Sequence, residues 1–111
     1  MAVQQIGLSD EMEQCVDSCT EAVEVCEWCA GECVDHGEGM AECIRLCRDV
    51  ADIASLCAPV YARSEFNSRI AEACAQASEA CAEECESHDH EHCQACAEIL
   101  PQCAESCRAM T

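Results

Sequence analysis

Residues 15–33 read CVDSCTEAVEVCEWCAGEC, a stretch in which Cys15, Cys19, Cys26, Cys29 and Cys33 fall four, seven, three and four residues apart. With Ala22 set into the gap, the steps become 4, 3, 4, 3 and 4. That is the rhythm of an amphipathic helix whose inward positions form a bundle core. Thiols hold those positions here in place of the usual aliphatic side chains. The pattern therefore fixes a helix and its inner face, and it raises the question of why a core should be made of sulfur.

The same rhythm recurs three times along the chain. It carries Met40, Cys43, Cys47, Val50, Ala54, Cys57 and Tyr61, then Cys74, Ser78, Cys81, Cys85, His88 and His92, then Cys93, Cys96, Leu100, Cys103, Cys107 and Met110. Helices are expected over about 9–35, 39–61, 65–87 and 90–109. Ser9 is the expected N-cap of the first, with Asp10 and Glu11 at its positive end. His36-Gly37-Glu38-Gly39 breaks the pattern and lets the chain reverse. Pro59 should end or kink the second helix near Ala58, Ser64 should cap the third, Asp89 should cap the fourth, and Pro101 should kink it. Similar helices with short connections predict one all-α domain spanning residues 1–111, an antiparallel up-down-up-down four-helix bundle with a cysteine-lined core.

Fifteen of the 111 residues are cysteine, a proportion at which a short chain is ordinarily a disulfide scaffold. The number is odd, Met1-Ala2-Val3-Gln4-Gln5 has no basic region leading into an apolar stretch, and no segment is long and apolar enough to span a membrane. The expectation is a cytoplasmic protein with reduced thiols. Large aliphatic residues are sparse, so buried cysteine, which behaves as a small hydrophobe, and abundant alanine must sustain the fold. The 23 acidic residues outweigh 5 arginines, and the formal net charge is −18. Nucleic acid and anionic membranes are poor partners for such a surface. A solvated acidic exterior suited to high salt, or a field that draws in metal cations, fits it.

Cys15/Cys19, Cys29/Cys33, Cys43/Cys47, Cys81/Cys85 and Cys103/Cys107 share the CxxxC spacing. Side chains four apart are neighbours on a helix, about 5–6 Å between Cβ atoms, so two sulfurs can flank one ion. Soft thiolates suit Cu(I), zinc or iron–sulfur clusters. Zinc takes four tetrahedral ligands, which requires adjacent helices to converge. Iron–sulfur clusters need four ligands around a bulky core, usually on loops. A continuous helical stripe best suits many small two- or three-coordinate ions, on the order of ten Cu(I) if shared thiolates approach one metal per sulfur. The expected function is Cu(I) sequestration and storage without catalysis. A zinc or cadmium thiolate buffer is the alternative within the same class. An iron–sulfur or thiol redox protein, and a structural halophilic bundle with an inert thiol core, are the alternatives outside it.

Alignment of the stripes from the Gly37 turn sorts the thiols by depth. Cys26, Cys29, Cys33, Cys43, Cys47, Cys81, Cys85, Cys93 and Cys96 lie toward that end; Cys15, Cys19, Cys57, Cys74, Cys103 and Cys107 lie deeper. Ala22, Val50, Ser78 and Leu100 form a level without thiols between them. Two separate clusters are therefore expected. His36, Met40, His88, His90 and His92 all belong at the turn end, where imidazole and thioether, weaker ligands than thiolate, suit metal entry. Ile6, Leu8, Met12, Tyr61, Phe66, Ile70 and Met110 should plug the opposite end. Trp28 sits beside the stripe, at a subunit interface or as a shield for the bundle edge.

The motifs CVDSC, CEWCAGEC, MAECIRLCRDVADIASLCA, CAQASEACAEEC and EHCQACAEILPQCAESC cover almost the whole chain. In these the sequence resembles the bacterial and archaeal four-helix-bundle copper-binding proteins that include the cytosolic copper storage proteins. The resemblance implies many Cu(I) ions on bundle-lining thiols, histidine or methionine at the open end, copper ions and a copper chaperone as partners, and a homo-oligomer, commonly a tetramer. The sequence departs from the family pattern at Val50, Ala54, Ser78 and Leu100, where cysteine is frequent.

Overall fold

Ser9 opens the first helix as its side chain dictates, its Oγ accepting the Met12 backbone N–H at 3.2 Å while Asp10, Glu11 and Glu13 occupy the first turn. In the computed structural model, which describes residues 8–110, four long helices follow. They are α1 (Asp10–Cys33), α2 (Ala41–Arg63), α3 (Asn67–Glu86) and α4 (Glu91–Arg108). Two short 3-10 turns, Val34–His36 and Glu38–Met40, join α1 to α2. Gly37 stands between them at φ 87° and ψ −166°, a region closed to residues with a Cβ. A Cβ there would meet nothing within 4 Å, so the demand for glycine comes from the backbone alone.

Three local expectations are corrected. α2 does not end near Ala58 but runs through Pro59 to Arg63, while α4 carries Pro101 inside its span, where the sequence placed it. Both prolines are exposed, so water can take the carbonyl that each leaves without a donor. Ser64 does not cap α3: its Oγ accepts the Phe66 N–H at 3.1 Å, closing a local turn, and the cap position passes to Phe66. His90 rather than Asp89 stands at the N-cap of α4 and makes no side-chain cap bond. Gln94 braces that turn instead, its Nε2 donating to the His88 carbonyl at 2.6 Å.

Each helix packs on two neighbours, α1 and α3 both lying against α2 and α4, which gives the expected up-down-up-down bundle, about 45 × 23 × 19 Å. At the end away from Gly37, Tyr61 is buried, and Leu8, Met12, Ile70 and Met110 pack partly buried against the core. Phe66 does not join this plug, being 62 % exposed, and Ile6 lies outside the described residues. Arg48–Glu27 and Arg108–Glu79 cross the helix boundaries on the surface at 2.8 Å each. Exposed pairs of this kind contribute little stability. No described helix is long and apolar enough to cross a membrane.

Candidate metal centre

Every one of the fifteen cysteines is free and buried, none exceeding 2 % exposure. The heptad stripes turn the sulfurs inward from all four helices, and their contacts fall into two sets. Toward the Gly37 end, Cys43 meets Cys33, Cys85 and Cys93 at 3.7, 3.6 and 3.9 Å. Below it, Cys47 meets Cys81 at 3.6 Å and Cys96 at 4.0 Å, and Cys26 meets Cys96 at 3.8 Å. The CxxxC pairs Cys29/Cys33 and Cys81/Cys85 tie these levels together at 3.9 Å. In the deep set, Cys19 meets Cys74 at 3.8 Å and Cys103 and Cys107 at 3.9 Å, while Cys15 and Cys107 approach to 3.4 Å. Cys57 completes this set through Cys107, Cys19 and Cys74. Ala22, Val50, Ser78 and Leu100, all fully buried, lie in the core between the two.

Four groups bring their ligand atoms within 4.8 Å of one another: Cys26/Cys47/Cys81/Cys96, Cys29/Cys43/Cys47/Cys85, Cys19/Cys74/Cys103/Cys107, and Cys29/Cys33/Cys93 with His92. A tetrahedral zinc site with Zn–S near 2.3 Å has sulfur–sulfur edges of about 3.8 Å. The observed spacing therefore suits four-coordinate zinc as well as two- or three-coordinate Cu(I), and geometry alone does not choose between them.

Burial governs protonation at the upper end. It pushes Cys33 up to about 12 and Cys93 up to about 11, with the Cys29 thiolate adding to both. Burial also raises Cys43. Deeper in, shared protons decide. Hydrogen bonds from Cys26 and Cys29 hold Cys47 low, and bonds from Cys107 and Cys19 hold Cys103 low. Cys96, whose proton serves Cys26 and Cys29, is pushed up. Such a cluster ionises as a unit. Full ionisation would leave dense negative charge away from water, a state that needs cations among the sulfurs.

Three of the four histidines converge beside the upper thiols. His36 stacks on His90 with ring centroids 4.0 Å apart, and His92 stacks against His36 and His90 at 5.4 and 5.3 Å. His92 is 5 % exposed and its Nε2 has no hydrogen-bond partner. Burial, followed by the charges of His90 and His36, lowers its pKa. Its ring lies beside Cys29, Cys33 and Cys93, and burial there favours the neutral form. Met40 is buried at the same end. His88 does not join the stack, because its Nε2 bonds the Glu84 carboxylate at 2.8 Å.

Two contacts escaped the sequence reading. Tyr61, read there as apolar filler, brings its hydroxyl to 3.1 Å from Cys15 Sγ. Bonds from Cys107 and Cys19, with a smaller contribution from Tyr61, hold Cys15 down to about 4. The available signal was a residue with a polar tip four places after Cys57 on the same stripe. Trp28, placed only beside the stripe, meets His92 edge-on with centroids 6.1 Å apart.

An antiparallel helical bundle whose core is a column of reduced thiols, with a histidine cluster over one end, defines a helical metal–thiolate protein. The chain belongs to the copper storage protein (Csp) family, whose model matches residues 8–111. It is 40% identical over 85 residues to the uncharacterized cysteine-rich protein YhjQ of Bacillus subtilis, a match covering 74% of this chain and 79% of that one. Among solved structures it is similar to the Cu(I)-bound copper storage protein BsCsp3, with 38% identity, TM-score 0.84, and 91% and 98% of the two chains covered. It is also similar to the copper storage protein Ccsp of Streptomyces lividans loaded with 10 copper equivalents, with 30% identity, TM-score 0.84, and 95% and 88% covered. The family bears out the reading of the chain as a copper storage protein.

Proposed function

We propose that this protein sequesters and stores Cu(I) in the cytosol, many ions per chain, and carries out no chemical conversion. The observation that carries this reading is the pair of buried sulfur networks at 3.4–4.0 Å. All fifteen cysteines serve as ligands, bridging ions two or three to a site. His36, His90, His92 and Met40 handle ions at the entrance. His88, held by Glu84, orients the turn behind them. Each arriving Cu(I) displaces thiol protons and offsets the charge of the thiolates that hold it. Assembly into a homo-oligomer belongs to the same proposal, supported by Trp28 and Val34 standing 45 % and 66 % exposed near the entrance. A copper chaperone is the expected donor.

Anaerobic titration of the reduced protein with Cu(I) under native mass spectrometry tests the reading. Uptake on the order of ten ions per chain supports it, and saturation at one or two ions sinks it. A parallel Zn(II) titration tests the second reading, a zinc buffer, which the four-sulfur groups favour on spacing. Zinc that survives a Cu(I) challenge would establish that alternative.

A further inference from the structure

We propose that the deep six-thiol chamber has its own side entrance, a groove between α1 and α2 that reaches Cys19. Through it, Cu(I) carried on a small thiol passes to the deep sulfurs without crossing the histidine end. The inference rests on the Cu(I) storage reading and adds a second route to it.

Cu(I) held by thiolates moves by exchange from one soft donor to the next. From above, the route to the deep chamber is interrupted by Ala22, Val50, Ser78 and Leu100, which offer hydrocarbon and one hydroxyl and are fully buried. From below, buried Tyr61 and its apolar neighbours close the bundle. The side wall is different. A groove of about 240 Å³ is lined by Val16, Cys19, Thr20 and Val23 of α1 and by Ala54 and Ala58 of α2. Ala54 and Ala58 lie one turn apart, and their methyl groups leave unfilled the space that larger side chains would take. Three other grooves along the wall, at Ser106, Pro101 and Leu46, are lined by no cysteine.

Cys19 is the one cysteine in the lining of these four grooves, and it is itself buried, at 2 %. It is the hub of the deep set, in contact with Cys74, Cys103 and Cys107 at 3.8–3.9 Å. An ion delivered to Cys19 is therefore at once beside three further sulfurs. The exchange is balanced and involves no electron transfer. A Cu–S bond forms to Cys19 as the Cu–S bond to the carrier breaks, and the Cys19 proton leaves on the carrier's sulfur.

The test supplies Cu(I) as its glutathione complex to the reduced protein and follows, by alkylation and peptide mass spectrometry, the order in which cysteines become protected. Ala58→Phe covers the groove from its exposed rim, and Ala54→Leu fills it from within. Each should slow protection of the deep six by about tenfold or more and leave the upper nine at their original rate. Combined His36→Ala, His90→Ala and His92→Ala should do the reverse. Circular dichroism identifies any variant that fails to fold, and Ala58→Phe, being on the surface, keeps the test decisive. Deep protection that is unchanged in folded Ala58→Phe would overturn the side entrance, and its slowing in the histidine variant would assign the deep ions to the histidine end. Failure of either set to be protected in the unaltered protein would instead remove the copper reading on which the inference rests.

Discussion

Ser78 places a hydroxyl at a position of the α3 stripe where the rhythm calls for a core side chain, and that hydroxyl is buried without a formed hydrogen bond. Ser78→Cys would put a sulfur of similar size between the two networks. At least one additional Cu(I) per chain is expected by native mass spectrometry, and unchanged uptake would deny the level any part in dividing the ions. Cys33 and Cys93 carry a different consequence. Burial raises both above the ordinary thiol value of 9.0, to about 12 and about 11. Between those values the folded chain keeps protons that the unfolded chain has lost. The stability these thiols contribute is thus complete below about pH 9 and declines as pH rises toward 11 and 12. Thermal melts of the metal-free protein across that interval should show a falling midpoint. A midpoint that rises or stays level would contradict the burial of these thiols as neutral groups. Tyr61 shows why some roles are hidden in sequence: its place on the stripe is legible, but the partner of its hydroxyl depends on where α1 sets Cys15.

The elements themselves were legible wherever the signal was local or periodic. Ser9 could be read because a cap bonds three residues ahead, and the inner faces could be read because thiols and small or apolar residues keep the 3-4 step along each helix. Pro59 misled as a helix end because the rule for proline gives the penalty of a missing donor, not whether the other contacts of a helix exceed it. Here the apolar faces of α2 and α4 continue past the prolines, with Tyr61, Cys103 and Cys107 buried beyond them. Replacement of exposed Pro59 by alanine restores an N–H within α2 and relieves the helix interior of its weakest residue. Stabilisation of ~1–3 kcal/mol is expected, readable as a higher denaturant midpoint. Destabilisation would mean that the proline fixes a bend the bundle needs. Ser64 and Asp89 failed as caps for a simpler reason. The chain enters α3 and α4 later than composition suggests, leaving Phe66 and His90 at the boundary.

At the scale of the molecule, a charge of −18 is spread over an exterior about 45 Å long. Surface ion pairs such as Arg48–Glu27 relieve little of it. The folded state therefore carries net self-repulsion that added salt screens. The metal-free protein should melt higher in 1 M NaCl than at low ionic strength, and a midpoint that falls with salt would place its dominant electrostatics in favourable pairs instead. The candidate site was legible as four sulfur stripes and as a cluster of histidines at one end. Which histidines converge was not, because the turn before α4 alone decides that His90 and His92 meet His36 while His88 is taken by Glu84.

Trp28 is the chain's single tryptophan, and it stands edge-on to His92 at 6.1 Å. The molecule therefore carries a built-in optical gauge at one gate. Occupation of the histidine end should alter Trp28 emission early, whereas ions that settle around Cys15 and Cys107 should leave it nearly silent. A fluorescence trace set against total copper taken up would thus report where each successive ion goes. An emission change strictly proportional to load would mean that the two ends fill together.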